Sequence, residues 1–399
     1  MARLTLNNII YFTLISLLFL SCNKDEENPA KEIPKVNKAP QDFKITPEKL
    51  TGTTIEVSFS ESFDPDYEPV KYRLYLNDSL VADNLNYSVK SEFTNLIPLK
   101  NYKITIIAFD AGGMTNSQFL NVKTLADGAQ IINHKLQFEE KAREYGLYLP
   151  SGSQYQNLPL VIYLHGAGGI IWPGMINNYF VKMAERDHFI FLQPQALVGD
   201  PSGEGDTGWD AHNLLPWNDV SFINSIIDTL YQKGLIDLSR IYVTGMSNGG
   251  FMTFTVAEKL QDRIAAIAPI AGLMDNVVFA QYNMRKPMPL CYMHGTADHV
   301  VEIEGSQFSQ GWSSVLSLWI DINGTSSTPV VTEMPDINKD DNSTVTKFEY
   351  HSYSGNGEIV YYRINNGGHS VPGLGYPTNM DINAFEEIWN FFKNYTLQK

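Results

Sequence analysis

The sequence predicts a three-layer α/β domain preceded by a small all-β sandwich, and three observations carry that expectation. From about residue 130 onward, short apolar runs rich in β-branched residues alternate with amphipathic stretches, the pattern of a parallel sheet covered by helices on both faces. From residue 39 to about 126 the text is instead a series of short alternating runs bounded by Gly, Pro, Asn or Asp, as in a β-sandwich. Before residue 39 there is an apolar leader and then a polar, proline-bearing run without periodicity. The 399 residues leave room for two or three domains. A net charge of -15 without basic patches excludes nucleic acid as a partner, because phosphate binding needs clustered Lys and Arg.

Residues 1–21 read as a signal peptide: Arg3, an apolar stretch from Ile9 to Leu20 too short to span a membrane, then small Ser21. Ser21-Cys22 resembles the lipobox of bacterial lipoproteins, although Phe19 stands where leucine is commonest. That resemblance implies a diacylated Cys22 and a lipid anchor in the outer membrane, with the protein facing the periplasm or the cell surface. The alternative is plain secretion. Residues 22–38 are expected to be a flexible tether, and Asp25-Glu26-Glu27 resembles the surface-export signal of Bacteroidetes-type lipoproteins. Cys291 lies in the apolar run "PMPLCYMHG" and is expected to be a buried, inert thiol with no disulfide partner.

Within residues 39–126, "TIEVSFS", "KYRLYLND" and "YKITIIAFD" are the clearest strands. "LIPLKNYKITIIAFDAGG" resembles the fibronectin type III domain. Leu96, Pro98 and Tyr102 match the corner at which a tyrosine hydroxyl ties back to backbone, and Phe59 stands where that family commonly has tryptophan. Such a module is expected to act as a spacer. Asp64, Asp66 and Glu68 in "DPDYEPV" are read as turn chemistry, and no metal site or cofactor is assigned anywhere in the chain.

In residues 130–399, "LPLVIYLHG", "HFIFLQPQA", "RIYVTGMS", "IAAIAPIAG" and "PLCYMHGTAD" are the expected buried strands. "DVSFINSIIDTLYQKG", "GFMTFTVAEKLQDR" and "INAFEEIWNFFKNY" are the expected helices. Ligands of open parallel sheets gather at the carboxyl ends of strands. The loops there carry His165 to Gly169 ("HGAGG"), Ser247 within Gly245-Met246-Ser247-Asn248-Gly249, Asp298 in "HGTADHVV" and His369 in "NNGGHSVPG".

Ser247, Asp298 and His369 supply the three groups that acyl transfer needs: a nucleophile, a carboxylate and an imidazole to take the serine proton. Glycines on either side of the serine allow a sharp strand-to-helix turn, and the chain order Ser, Asp, His is that of the α/β-hydrolases. Backbone N–H groups of Asn248 and of Ala167 or Gly166 are the expected oxyanion donors. His165 and His294 are expected to be structural.

"LVIYLHGAGG", "SRIYVTGMSNGGFM", "IAPIAG", "HGTADHVV" and "GGHSVPG" resemble the esterase family of polyhydroxybutyrate depolymerases and of feruloyl and acetylxylan esterases. The resemblance spans nearly all of residues 130–399 and implies Ser247 as nucleophile, His369 as general base and acid, and Asp298 as the orienting carboxylate. The chain departs from the family at Asn218-Asp219, where Asp-Asp is common and a helix cap is expected, and at Val371, where tryptophan is common. Trp209 and Trp217, in the long loop "VGDPSGEGDTGWDAHNLLPWND", are candidate faces for a sugar ring or phenolic acyl group, the alternative being that they cap the core. "PDINKDDNSTV" is read as a surface hairpin. The resemblance thus implies a monomeric, cofactor-free esterase acting on feruloyl or acetyl groups of plant polysaccharide. A polyester depolymerase is the alternative, and an inactive surface binding protein stands behind both.

Overall fold

The computed structural model describes residues 36–397 apart from 89, 153–155, 172–178, 198–205, 213–217 and 375–377. The expected signal peptide, Cys22, most of the tether and Trp217 lie outside the described residues.

The first seven strands are β1 (Ile45–Thr51), β2 (Ile55–Phe59), β3 (Lys71–Leu76), β4 (Ser79–Leu85), β5 (Lys90–Phe93), β6 (Asn101–Phe109) and β7 (Thr115–Lys123). They form two facing sheets, β5-β2-β1 and β4-β3-β6-β7. Period-two alternation decides which side chains meet between them. Tyr102, Ile104, Ile106 and Ala108 of β6 are buried against Leu50, Val57 and Phe59 of the opposite sheet. Phe59 packs on Tyr72 with ring centroids 5.0 Å apart. The Tyr102 hydroxyl accepts the Ile97 N–H at 2.9 Å, so the tyrosine does tie back to backbone five residues upstream. Asp64 accepts the N–H groups of Asp66 and Glu68 at 2.7 and 3.3 Å, the turn chemistry expected of Asp-Pro-Asp.

A hairpin of β8 (Gln130–Phe138) and β9 (Lys141–Leu149) comes next, and β8 pairs antiparallel with β1, Leu50 opposite Ile131. The smaller sheet therefore continues into the larger one across the position where the sequence pattern changes. One 13-stranded sheet runs through the molecule.

The remaining elements are β10 (Leu158–Leu164), α1 (Tyr179–Asp187), β11 (Ile190–Pro194), α2 (Asp219–Gln232), β12 (Ile236–Met246), α3 (Asn248–Lys259), β13 (Ala266–Ile270), α4 (Asn276–Gln281), β14 (Leu290–Gly295), α5 (Trp312–Asn323), β15 (Val330–Glu333), a 3-10 turn at Lys339–Asp341, β16 (Thr344–Tyr350), β17 (Ile359–Asn365) and α6 (Ala384–Phe392). Strands β11, β10, β12, β13, β14 and β17 are parallel neighbours in that order. β15 and β16 form the hairpin expected around "PDINKDDNSTV".

Alternate residues of these strands face opposite helical layers. Val161, Phe191, Tyr242 and Cys291 pack with Phe180 of α1 and Phe385, Trp389 and Phe392 of α6. Leu160, Leu192, Val243 and Tyr292 pack with Phe222 and Ile226 of α2, Phe254 of α3 and Trp319 of α5. The result is a three-layer α/β-hydrolase fold. Cys291 is a free, fully buried thiol whose ionisation burial opposes. The loops carrying His165, Trp209, Ser247, Asp298 and His369 all leave the carboxyl ends of parallel strands, on one edge of the sheet.

Candidate active site

β12 ends at Met246, and the chain turns into α3 with Ser247 at φ 56° and ψ -122°, left-handed backbone that a non-glycine residue adopts only when its surroundings enforce it. The surroundings do. A Cβ at Gly249 would lie 2.0 Å from Leu164 O, and one at Gly245 would lie 2.4 Å from Gly249 O. The two flanking glycines are required because β10, β12 and α3 converge there. The Ser247 N–H donates to Ile270 O at 2.9 Å, which pins the turn to β13.

The HGAGG loop faces this turn: a Cβ at Gly166 would sit 3.4 Å from the Ser247 Cβ. The Gly168 N–H donates to Thr207 O at 2.7 Å and the Gly169 N–H to Gly166 O at 3.0 Å. His165 is buried, with Nδ1 2.7 Å from Gly166 O and Nε2 accepting the Ala196 N–H at 3.0 Å. A carbonyl can only accept, so Nδ1 carries the proton and the ring is neutral, in keeping with the downward pull of burial on its basicity. His165 shapes the loop, as the sequence led us to expect.

Trp209 takes the core-capping alternative and offers no open aromatic face. It is 4% exposed, and its Nε1–H donates to His165 O at 2.9 Å. Its backbone is clamped by the Asn248 side chain, which accepts the Trp209 N–H at 2.7 Å and donates to Trp209 O at 3.2 Å. The tryptophan therefore ties the HGAGG loop to the first turn of α3. Asn218 caps α2 by accepting the Ser221 N–H at 2.8 Å, and Val371 is buried.

Sequence reasoning missed the support beneath this loop. Arg143 and Asp219, both 1% exposed at the side chain, form a 2.6 Å ion pair, and Asp219 also accepts the Asp210 N–H at 2.8 Å. Arg143 donates to Gln195 O at 3.3 Å and its guanidinium lies 3.9 Å over the Phe222 ring. Gln195 in turn accepts the Ile171 N–H at 2.8 Å and donates to Gly169 O at 2.9 Å. Residues that distant in sequence carry no local signal of their pairing.

On the far side, Asp298 Oδ2 lies 2.7 Å from His369 Nδ1, and Oδ1 accepts the N–H groups of Val300 and Val301, each at 2.9 Å. Burial alone would raise this carboxyl. The hydrogen bonds from His294, Val301, His369 and Val300 outweigh it and hold Asp298 well below the usual carboxylate range. Asp298 is therefore an anion. With its Nδ1–H directed at that anion, His369 keeps the lone pair of Nε2 for another partner.

A cavity of about 460 Å³ opens beside Ser247, walled by Phe251, Val301 and Phe308 and by a polar group in which His212 Nδ1 lies 3.0 Å from Asp275 Oδ2. Neither member of that pair was singled out from the sequence.

Residues 198–298 match the prolyl oligopeptidase family. A bifunctional acetylxylan esterase/xylanase of Neocallimastix patriciarum is 25% identical over 269 residues, 67% of this chain and 35% of that protein. Poly(3-hydroxyalkanoate) depolymerase C of Paucimonas lemoignei is 31% identical over 135 residues, 31% of this chain and 30% of that protein. Feruloyl esterase D of Neurospora crassa is 24% identical over 278 residues, 68% of this chain and 88% of that protein. The chain thus spans about a third of the length of the first two of these relatives. Among solved structures, an acetyl xylan esterase from Aspergillus awamori matches 65% of this chain and 98% of its own at 17% identity, with a TM-score of 0.45.

Proposed function

We propose that this protein is a serine esterase in which Ser247, His369 and Asp298 form the catalytic triad. The observation that carries the reading is the strained turn at Ser247, enforced by Gly245 and Gly249, on the same sheet edge as the His369–Asp298 pair. His369 Nε2 takes the Ser247 hydroxyl proton as Oγ attacks the ester carbonyl. The imidazolium then protonates the departing alcohol, leaving an acyl-serine. Water, activated by the same imidazole, releases the acid and restores the serine.

The developing oxyanion is held by backbone N–H groups, with Asn248 at the start of α3 supplying one donor. The Gly168 and Gly169 amides are already engaged, with Thr207 O and Gly166 O, which favours Gly166 or Ala167 for the second. Each such donor contributes roughly 3–4 kcal/mol in the transition state.

The substrate we favour is a feruloyl ester of plant cell-wall polysaccharide. A 460 Å³ cavity that sets Phe251, Phe308 and Val301 among polar residues such as His212, Asp275, His299 and Glu302 has room for an aromatic acyl group with a polar substituent, and an acetyl group would leave most of it unfilled. The acetylxylan and feruloyl esterase relatives support an ester of that class. A signal peptide at residues 1–21, a lipid on Cys22, a tether at 22–38 and a fibronectin type III-like module at 39–126, with the esterase at 130–399, would suit a monomeric enzyme held at the outer membrane facing an extracellular polymer. The 31% identity to a polyhydroxyalkanoate depolymerase favours a polyester as the second reading.

Parallel rates on methyl ferulate, acetylated xylan and hydroxybutyrate oligomers, each with Ser247→Ala as the control, test the proposal. The highest kcat/KM is expected on methyl ferulate. Dominant turnover of hydroxybutyrate oligomers would overturn the substrate assignment, and full activity in Ser247→Ala would overturn the mechanism.

A further inference from the structure

Strand β14 places Tyr292 and His294 two residues apart, on the same face. Both are buried, and His294 stands four residues before Asp298. His294 Nε2 lies 2.8 Å from Val301 O and 3.3 Å from Asp298 Oδ2, the oxygen that also receives His369. A backbone carbonyl only accepts, so Nε2 carries a hydrogen. Nδ1 lies 2.5 Å from the Tyr292 hydroxyl, and burial, reinforced by Tyr361 and Asp298, keeps that phenol protonated. The phenol donates to Nδ1. Its ring is fixed by stacking on Trp312 at 3.7 Å between centroids.

Every hydrogen in the chain then has a direction: Tyr292 to His294, His294 to Val301 O and Asp298, and His369 to Asp298. We propose that His294 is a positioning residue for the catalytic carboxylate, holding Asp298 through Nε2–H while Tyr292 fixes the tautomer that makes this possible. The inference rests on the triad reading above. Anchoring of the 298–301 turn alone would need only the bond to Val301 O. The second contact falls on the oxygen whose charge sets how strongly His369 is held and how basic it is.

Loss of the His294 donor has two consequences. Oδ2 becomes freer to move and a stronger acceptor toward His369. The first lowers kcat, because a loosened catalytic group forfeits orientation. The second moves the acid limb of kcat/KM to higher pH, because a stronger acceptor makes the imidazole more basic. The ionisable groups around His294 are Tyr292 on its own strand, Asp298 and His369 on the adjoining loops, and Tyr361 of β17 behind Tyr292.

The test is steady-state kinetics of His294→Leu, His294→Gln and Tyr292→Phe on one ester, with pH profiles and melting curves. His294→Leu is expected to lose about 10- to 100-fold in kcat with KM within about twofold, and to shift the acid limb upward by about half a pH unit. Glutamine, whose amide nitrogen reaches the place of Nε2, is expected to restore most of the rate. Tyr292→Phe is expected to fall between them and to shift the limb in the same direction. An unshifted pH profile in a folded His294→Leu, or in Tyr292→Phe should the leucine variant not fold, overturns the proposal. Ser247→Ala separates the two readings. Retained activity there sinks the triad itself, whereas its loss together with unchanged His294 and Tyr292 variants sinks only the positioning role.

Discussion

His369 Nδ1 sits 2.7 Å from Asp298 Oδ2, across 71 residues of sequence. Each residue leaves the carboxyl end of one of two adjacent parallel strands, β17 and β14, so the sheet register brings them together. If that bond serves the reaction, Asp298→Asn should lower kcat by about 10⁴-fold with little change in KM, because the amide favours the wrong tautomer of His369. Ser247→Ala should lose at least as much. Kinetics on a nitrophenyl ester, with circular dichroism to confirm folding, would read both.

The same carboxylate links stability to pH. Folding holds Asp298 in its ionised form, with a pKa below that of the unfolded chain, so protons oppose folding here. Its contribution is fully present above about pH 4, the unfolded carboxyl value, and is lost as pH falls further toward the folded one. Melting temperatures of wild type and Asp298→Asn should therefore differ most near pH 6, and the gap should begin to narrow once the pH falls below about 4. A gap that widened on acidification would contradict this.

Gly249→Ala should prevent correct folding or lower the melting temperature steeply, because its Cβ would stand 2.0 Å from Leu164 O, a backbone atom at the carboxyl end of β10. Gly208→Ala is the contrast: among the described residues its Cβ would meet only Asn248 Oδ1, at 3.7 Å. That substitution should change stability by about 0.5 kcal/mol or less. Equal tolerance of the two would refute the steric account of the turn.

Arg143 and Asp219 give a third expectation about stability. Burial opposes charge on both, pushing the carboxyl up and the guanidinium down, and their attraction offsets that cost. Removing one partner strands the other, so Arg143→Met or Asp219→Leu should each cost about 3–5 kcal/mol, and the double variant less than either single one. Activity should fall along with stability, since Gln195 and the HGAGG loop lose their support. Urea unfolding of the four proteins completes the cycle.

Much of this was legible in the sequence because it is local. The period-two and helical patterns marked β6, β10, β12, α2, α3 and α6, and the glycines around Ser247 announced the turn. Asp298 and His369 were legible because strand ends are where such sheets place their ligands. Trp209 was left between two readings: composition marks an aromatic in a long loop but not which way the ring faces, and here Nε1–H found a buried carbonyl. The Arg143–Asp219 pair and the His212–Asp275 pair were invisible for another reason. Each joins segments that meet only once the sheet is assembled.

The pairing of β1 with β8 was equally beyond the sequence, and it changes what the first 90 or so described residues are expected to do. A spacer joined by a loop would be dispensable to the fold of the α/β domain. Here Leu50 stands opposite Ile131, Glu48 and Lys135 lie 2.6 Å apart, and the apolar cluster containing Leu50 and Ala129 runs on to Tyr148 and Val181. A chain beginning at residue 127 would expose the hydrogen-bonding edge of β8 and the buried Ile131, an invitation to edge-to-edge association. Such a truncation should aggregate or melt well below the longer protein, and replacing Leu50 by Asp in the full chain should reproduce part of the loss. A soluble, monomeric, fully active 127–399 fragment would show that the shared sheet is an adornment and that the spacer reading was right.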